Sequence, residues 1–199
     1  MKTLQTGTLL ASVLASGLMA GLFAAFAYAV MPGLRSTSDH TLVSTMQGIN
    51  KSILNPVFML PFMGSIPLIA LAVFLAWRGH GRPALPWLVA ALVLYLAAFA
   101  VTVAVNVPLN DRLERAGDPN SIGNLAAVRE QFEAAWVTWN IVRALLHSAA
   151  FACLAWALVL YGADGFPTDR AAAPTSHGTG ALLRTDPGPL AHDRHGADH

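Results

Sequence analysis

The sequence predicts an all-α fold, a four-helix transmembrane bundle with a disordered polar C-terminal tail. Three observations carry this expectation. Hydrophobic residues make up 55% of the 199 positions and charged residues only 12%, about half the charged share of soluble domains. Four apolar stretches, Gly7–Val30, Pro56–Trp77, Leu85–Val107 and Trp136–Tyr161, reach the roughly 20 residues a helix needs to cross a bilayer. None contains an acidic residue, and none alternates like a barrel strand. Helices that satisfy their own backbone are the consistent solution. Length allows one domain, residues 1–161, with 162–199 as tail.

The first stretch follows Lys2 and ends near Ala27-Tyr28-Ala29, which imitates a cleavable leader. Its apolar run is longer than a leader core, and Gly17-x-x-x-Gly21 suits close helix packing, so it reads as a retained span. The second stretch opens with Asn55 as cap and Pro56 in the first turn. Pro61 and Pro67 lie inside it and each removes a backbone donor, which predicts a kinked or locally unwound helix. The third ends at Asn106-Val107-Pro108-Leu109-Asn110. Pro108 frees the carbonyl of Ala104, which a neighbouring asparagine amide is placed to satisfy. The fourth opens with Trp136-x-x-Trp139-Asn140-x-x-Arg143. Residues 31–55 and 111–135 read as connections.

From Gly162 onward Gly, Pro, Ala, Asp and His dominate without apolar periodicity, the signature of a segment that cannot offset its ordering entropy. His192, His195 and His199 there read as solvated, or as a weak metal-binding cluster. The formal net charge of +1 gives no reason to expect nucleic acid; the expected partner is the lipid bilayer. Cys153 is the sole cysteine, which excludes an intramolecular disulfide and a Cys-rich metal site. With four spans both termini share one side. The Arg78–Arg82 connection lies there with two arginines and no acid, which leans the termini toward the cytoplasm.

Polar side chains in bilayer-length segments are costly, so they mark a candidate site. On a helix from Trp136, Asn140 falls at about +40°, Arg143 at about −20° and His147 at about +20°. These make one stripe, with Trp139 just beside it at about −60°. Such a stripe faces the bundle interior. Asn106 and Asn110 return to the same end, and so does the connection that holds His40, Gln47 and Asn50. Two readings stand: helix caps and interhelical ties, or a pocket that handles protons or a ligand. His147 is either a base or a histidine packed between helices.

At these residues the chain resembles the anthrone oxygenase-like family of small integral membrane proteins, many of them bacterial and of unknown function. The resemblance rests on Met31-Pro32-Gly33-Leu34, Met46-Gln47-x-Ile49-Asn50 and Asn55-Pro56. It continues through Asn106-x-Pro-x-Asn110 and Trp136-x-x-Trp139-Asn140-x-x-Arg143, and covers roughly residues 11–161. It implies a multi-pass protein of the bacterial inner (plasma) membrane. It also implies an oxidation of anthrones by O2 without metal or flavin cofactor. For that chemistry His147 or His40 is the candidate base, with Asn140 and Arg143 acting beside it. Asn106 and Asn110 would help hold an oxyanion, Trp136 and Trp139 would form aromatic walls, and Gln47 and Asn50 would contact substrate. A non-enzymatic protein that binds a lipophilic ligand or a partner membrane subunit is the alternative. A small transporter is a third reading, disfavoured because no acid lies within a span.

Overall fold

The computed structural model describes residues 2–79 and 81–164, and every regular element among them is helical. Four helices are long and apolar enough to cross a bilayer: Lys2–Arg35, Pro56–Arg78, Arg82–Arg115 and Leu125–Ala163. The first span consists of α1 (Lys2–Ala25), a π turn (Phe26–Val30) and α2 (Met31–Arg35). After it come α3 (Asp39–Ser52) and α4 (Pro56–Arg78), the second span. The third joins a short 3-10 turn (Arg82–Ala84), α5 (Leu85–Val101), a π turn (Thr102–Asn106) and α6 (Val107–Arg115). The fourth is α7 (Leu125–Asp164).

Residues 31–55 and 111–135 are mostly helical rather than irregular. Ser38 starts α3 by accepting the amide of Thr41, and its apolar face, Leu42, Val43 and Met46, is fully buried. That face packs with Met31, Leu109, Leu113, Phe132 and Trp136 into a core of its own. Gln47 donates to the carbonyls of Leu113 and Gly117, so it closes the C-terminal end of α6, and it does not line the cavity described below. Arg129 does the same for the α2–α3 connection. It donates to the carbonyls of Thr37 and Arg35 and pairs with Asp39 and Glu133. At 40 residues α7 is about 60 Å long, twice the bilayer core, so its first turns stand outside and carry these charges.

Prolines behave differently in the two halves. α4 starts as expected, with Asn55 accepting from Val57 and Phe58. The helix stays continuous across Pro61 and Pro67, without local unwinding. Tyr95 of α5 donates to the carbonyl of Phe62, and Ser65 donates to that of Pro61. Pro32 and Pro108, by contrast, each follow a π turn by two residues. There Met31 and Val107 donate to the carbonyls five residues back, Phe26 and Thr102. The extra residue takes up the register that the missing proline donor disturbs. Asn106 does not serve the carbonyl of Ala104; its amide points across to α7.

Away from the π turns the spans meet through Ala72, Ala76, Ala84, Ala91, Ala150 and Ala157, small residues that let helices approach closely. Gly17 belongs to this set: a Cβ there would lie 3.0 Å from the Phe151 ring, whereas one at Gly21 would meet nothing within 4 Å. Gly81 turns the chain at φ 108° between spans two and three, a conformation that favours glycine. The expected histidine tail, apart from the helical residues 162–164, lies outside the described residues.

Candidate functional site

Both π turns lie at the same end of the bundle, the end where α7 carries Trp136, Asn140 and Arg143. Between them is a cavity of about 180 Å³. Its aromatic wall includes Phe23, Phe58, Phe62, Phe99 and Trp136, with Phe58 stacked on Phe62 at 5.1 Å. Its polar wall is Asn50, Thr102, Asn110, Asn140 and Arg143. A larger hollow of about 520 Å³ lies outside, between α2 and the first turns of α7. It is lined by Arg35, Glu130 and Glu133 and by none of the buried unpaired polar groups, two of which, on Asn50 and Arg143, line the smaller cavity instead.

Arg143 dominates this cavity. Only 5% of it is exposed. Its guanidinium carbon lies 4.4 Å from the Phe23 ring centroid and 5.6 Å from that of Trp136. One terminal nitrogen donates to Oδ1 of Asn140 at 2.9 Å, and Nε has no partner. Among the described residues no carboxylate pairs with it, and none lines the cavity. Aromatic faces and one amide oxygen neutralise a guanidinium only in part. The cavity wall therefore presents a fixed positive charge in apolar surroundings, where Coulomb attraction to an anion is strong.

The asparagines divide between joints and wall. Asn140 is fully buried and donates to the carbonyl of Phe23, tying α7 to α1 just ahead of the first π turn. Asn106, also fully buried, reaches the carbonyl of Trp136 at 3.5 Å, and its own Oδ1 is unpartnered. Asn110 accepts from the Trp136 indole at 2.8 Å and lines the cavity. Asn50 lines it from α3 with a buried, unpartnered Nδ2.

The other candidates lie elsewhere. Trp139 is 39% exposed and forms no part of the cavity wall. His40 is exposed on α3, where it bonds Asn120, and it is not among the residues that line the cavity. His147 is fully buried one turn beyond Arg143, stacked on Phe23 at 4.9 Å and edge-on to Tyr95 at 4.6 Å. Both its ring nitrogens are unpartnered, yet it does not line the cavity. Sequence reasoning missed the wall formed by Phe23, Phe58, Phe62 and Phe99. The only signal was the i, i+4 spacing of Phe58 and Phe62, indistinguishable from ordinary core.

Fold and cavity together define a class: a multi-pass membrane protein built as a helical bundle, with an aromatic-walled cavity and a buried cation at one end. Residues 58–153 match the family model described as anthrone oxygenase. Over this segment, a little under half of the chain, the protein is similar to the anthrone oxygenase-like family. The match takes in Asn106, Asn110, Trp136, Asn140, Arg143 and His147, and leaves Phe23 and Asn50 outside it. No curated protein and no solved structure matches the chain.

Proposed function

We propose that this protein is a cofactor-independent oxygenase that converts a planar, hydrophobic anthrone-type aromatic to the quinone at the Arg143 cavity. The observation that supports this most strongly is the buried guanidinium without a carboxylate, facing a cavity lined by aromatic and aliphatic side chains and a few neutral polar ones. An anthrone and its phenolic tautomer lose one proton to give the same enolate. In this reading Arg143 and the amides of Asn50 and Asn110 hold the enolate oxygen, and the rings of Phe58, Phe62 and Trp136 flank the polycycle. Phenolic ionisation releases the proton to water, so no carbon base is needed in the wall. The electron-rich carbon opposite the oxygen then adds O2, and the hydroperoxide formed on reprotonation loses water to leave the second carbonyl. One O2 is consumed, and one quinone and one water are formed.

Purified protein stripped of metals, given an anthrone in oxygenated buffer, should consume one O2 per quinone formed. Failure to accelerate quinone formation over vesicles alone would sink the enzymatic reading. A second reading, a non-enzymatic binder of the same molecules, is favoured by the lack of any histidine or carboxylate among the cavity-lining residues. It is distinguished by tight binding without turnover. The orientation we propose, in a bacterial inner membrane, has cytoplasmic termini, because the Arg78–Arg82 connection carries two arginines and no acid. A C-terminal reporter active only outside the cytoplasm should stay silent; an active one would reverse the orientation.

A further inference from the structure

The enclosed cavity is smaller than the ligand class proposed for it. Its volume of about 180 Å³ is close to the ~150 Å³ of an apolar cavity that takes a single benzene. It is also well below the roughly 300 Å³ at which drug-sized pockets begin. A three-ring aromatic would therefore seat its oxygen-bearing end inside and extend beyond the rim.

Beyond the rim lies an apolar groove. Leu54, Met59 and Met63 line both the cavity and this groove, which follows the outer face of α4 past Leu60, Gly64 and Pro67. The shared wall residues face outward as well as inward: Leu54 is 71% and Met63 43% exposed. Across the opening, Val103 and Val107 also line the cavity and are 53% and 42% exposed. They belong to the second π turn and the start of α6, so the rim runs from the first turns of α4 to the irregular part of the third span. α4 begins here, and in the third span polar residues resume after Val107, so the opening suits an aromatic with one polar end, which prefers the region of the membrane interface. Unbranched methionines give the rim side chains that shift at little cost. The water-facing route is obstructed. Ile49 and Asn50 of α3 and Ile53 just after it form the wall there, and α3 is anchored by fully buried Leu42, Val43 and Met46.

Charge selects the occupant. Neither cavity nor groove is lined by an acid, and the only ionised group is Arg143 at the inner end. A ligand would travel with its oxygen leading and its rings trailing into lipid. Resting on the ligand class proposed above, we infer that the cavity is loaded sideways from the bilayer. The gate lies between the start of α4 and the π turn of the third span, and its occupant is a planar aromatic with one ionisable oxygen.

A gate slows arrival and departure together, whereas a lost contact speeds departure alone. The full-length chain in vesicles would be mixed with 2-hydroxyanthraquinone dissolved in the lipid, and binding followed by its absorbance. Val103→Trp and Met63→Trp, which fill the rim from opposite sides, should each lower the association and dissociation rates roughly tenfold or more. Leu14→Trp, on the lipid face of α1 and away from the cavity, should leave both rates unchanged. Unchanged association in both rim variants, or loss of affinity through faster dissociation alone, would overturn the lateral route. No binding by the unmodified protein would instead overturn the ligand class, and with it the function proposed.

Discussion

Arg143→Met is expected to lower anthrone oxidation about 10²–10³-fold, the cost of removing a main oxyanion stabiliser, while the bundle keeps or gains stability. The two expectations come from the same geometry. Arg143 is 5% exposed and has no carboxylate partner, only Asn140 and two ring faces. Desolvating a charge costs several kcal/mol, and replacing buried ionic groups with apolar ones of similar volume is often neutral or stabilising by about 1–4 kcal/mol. Part of any gain is offset by Oδ1 of Asn140, which loses its donor; an orphaned acceptor costs about 1–3 kcal/mol. Were the arginine a structural tie, the variant would unfold at lower temperature and lose activity only in proportion to the folded fraction. Rates per folded molecule and thermal midpoints in detergent separate the two outcomes.

Asn140→Asp should be the second large effect, with a different signature. It is isosteric, and it sets a carboxylate where Oδ1 now accepts from the guanidinium at 2.9 Å. The new charge neutralises Arg143 from within, so affinity for an aromatic oxyanion should fall by about 10²-fold, in line with the several kcal/mol measured when close charge pairs are altered. The bond from Nδ2 to the carbonyl of Phe23 is lost as well, which costs about 1–3 kcal/mol of stability. Affinity for a neutral analogue of the same shape, with a methyl ether in place of the hydroxyl, should change little. Equal losses for the ionisable and the methylated ligand would show that Asn140 shapes the cavity rather than maintaining its charge.

Much of this arrangement was legible in the sequence, for physical reasons particular to each part. The spans were, because bilayer thickness sets a length and excludes charge. So was the inward stripe: Trp136, Asn140, Arg143 and His147 are all buried, as helical spacing places them on one face. Trp139 was the marginal member of that stripe, and its exposure follows from lying at the stripe's edge. The short helices α3 and α6 were not legible, since both are polar enough to read as connections. Their stability comes from tertiary partners such as Phe132 and Trp136, which propensity does not reveal. The π turns were equally hidden: Pro108 announced a disturbed ladder, but whether an asparagine or an extra residue would absorb it depended on packing. The cavity walls were the least visible, because Phe23 and Phe62 sit in apolar sequence where every neighbour is also a reasonable core residue.

The central claim is that a fixed, unpaired cation in an aromatic cavity stabilises the anion of its ligand. It is tested most directly under argon, where oxidation cannot proceed. The protein in metal-free vesicles at neutral pH would be mixed with an anthrone and its absorption spectrum compared with that of Arg143→Met. Bound anthrone should show the red-shifted band of its enolate in the unmodified protein and not in the variant. A spectrum of neutral ketone in both, at ligand occupancies shown to be equal, would contradict the claim.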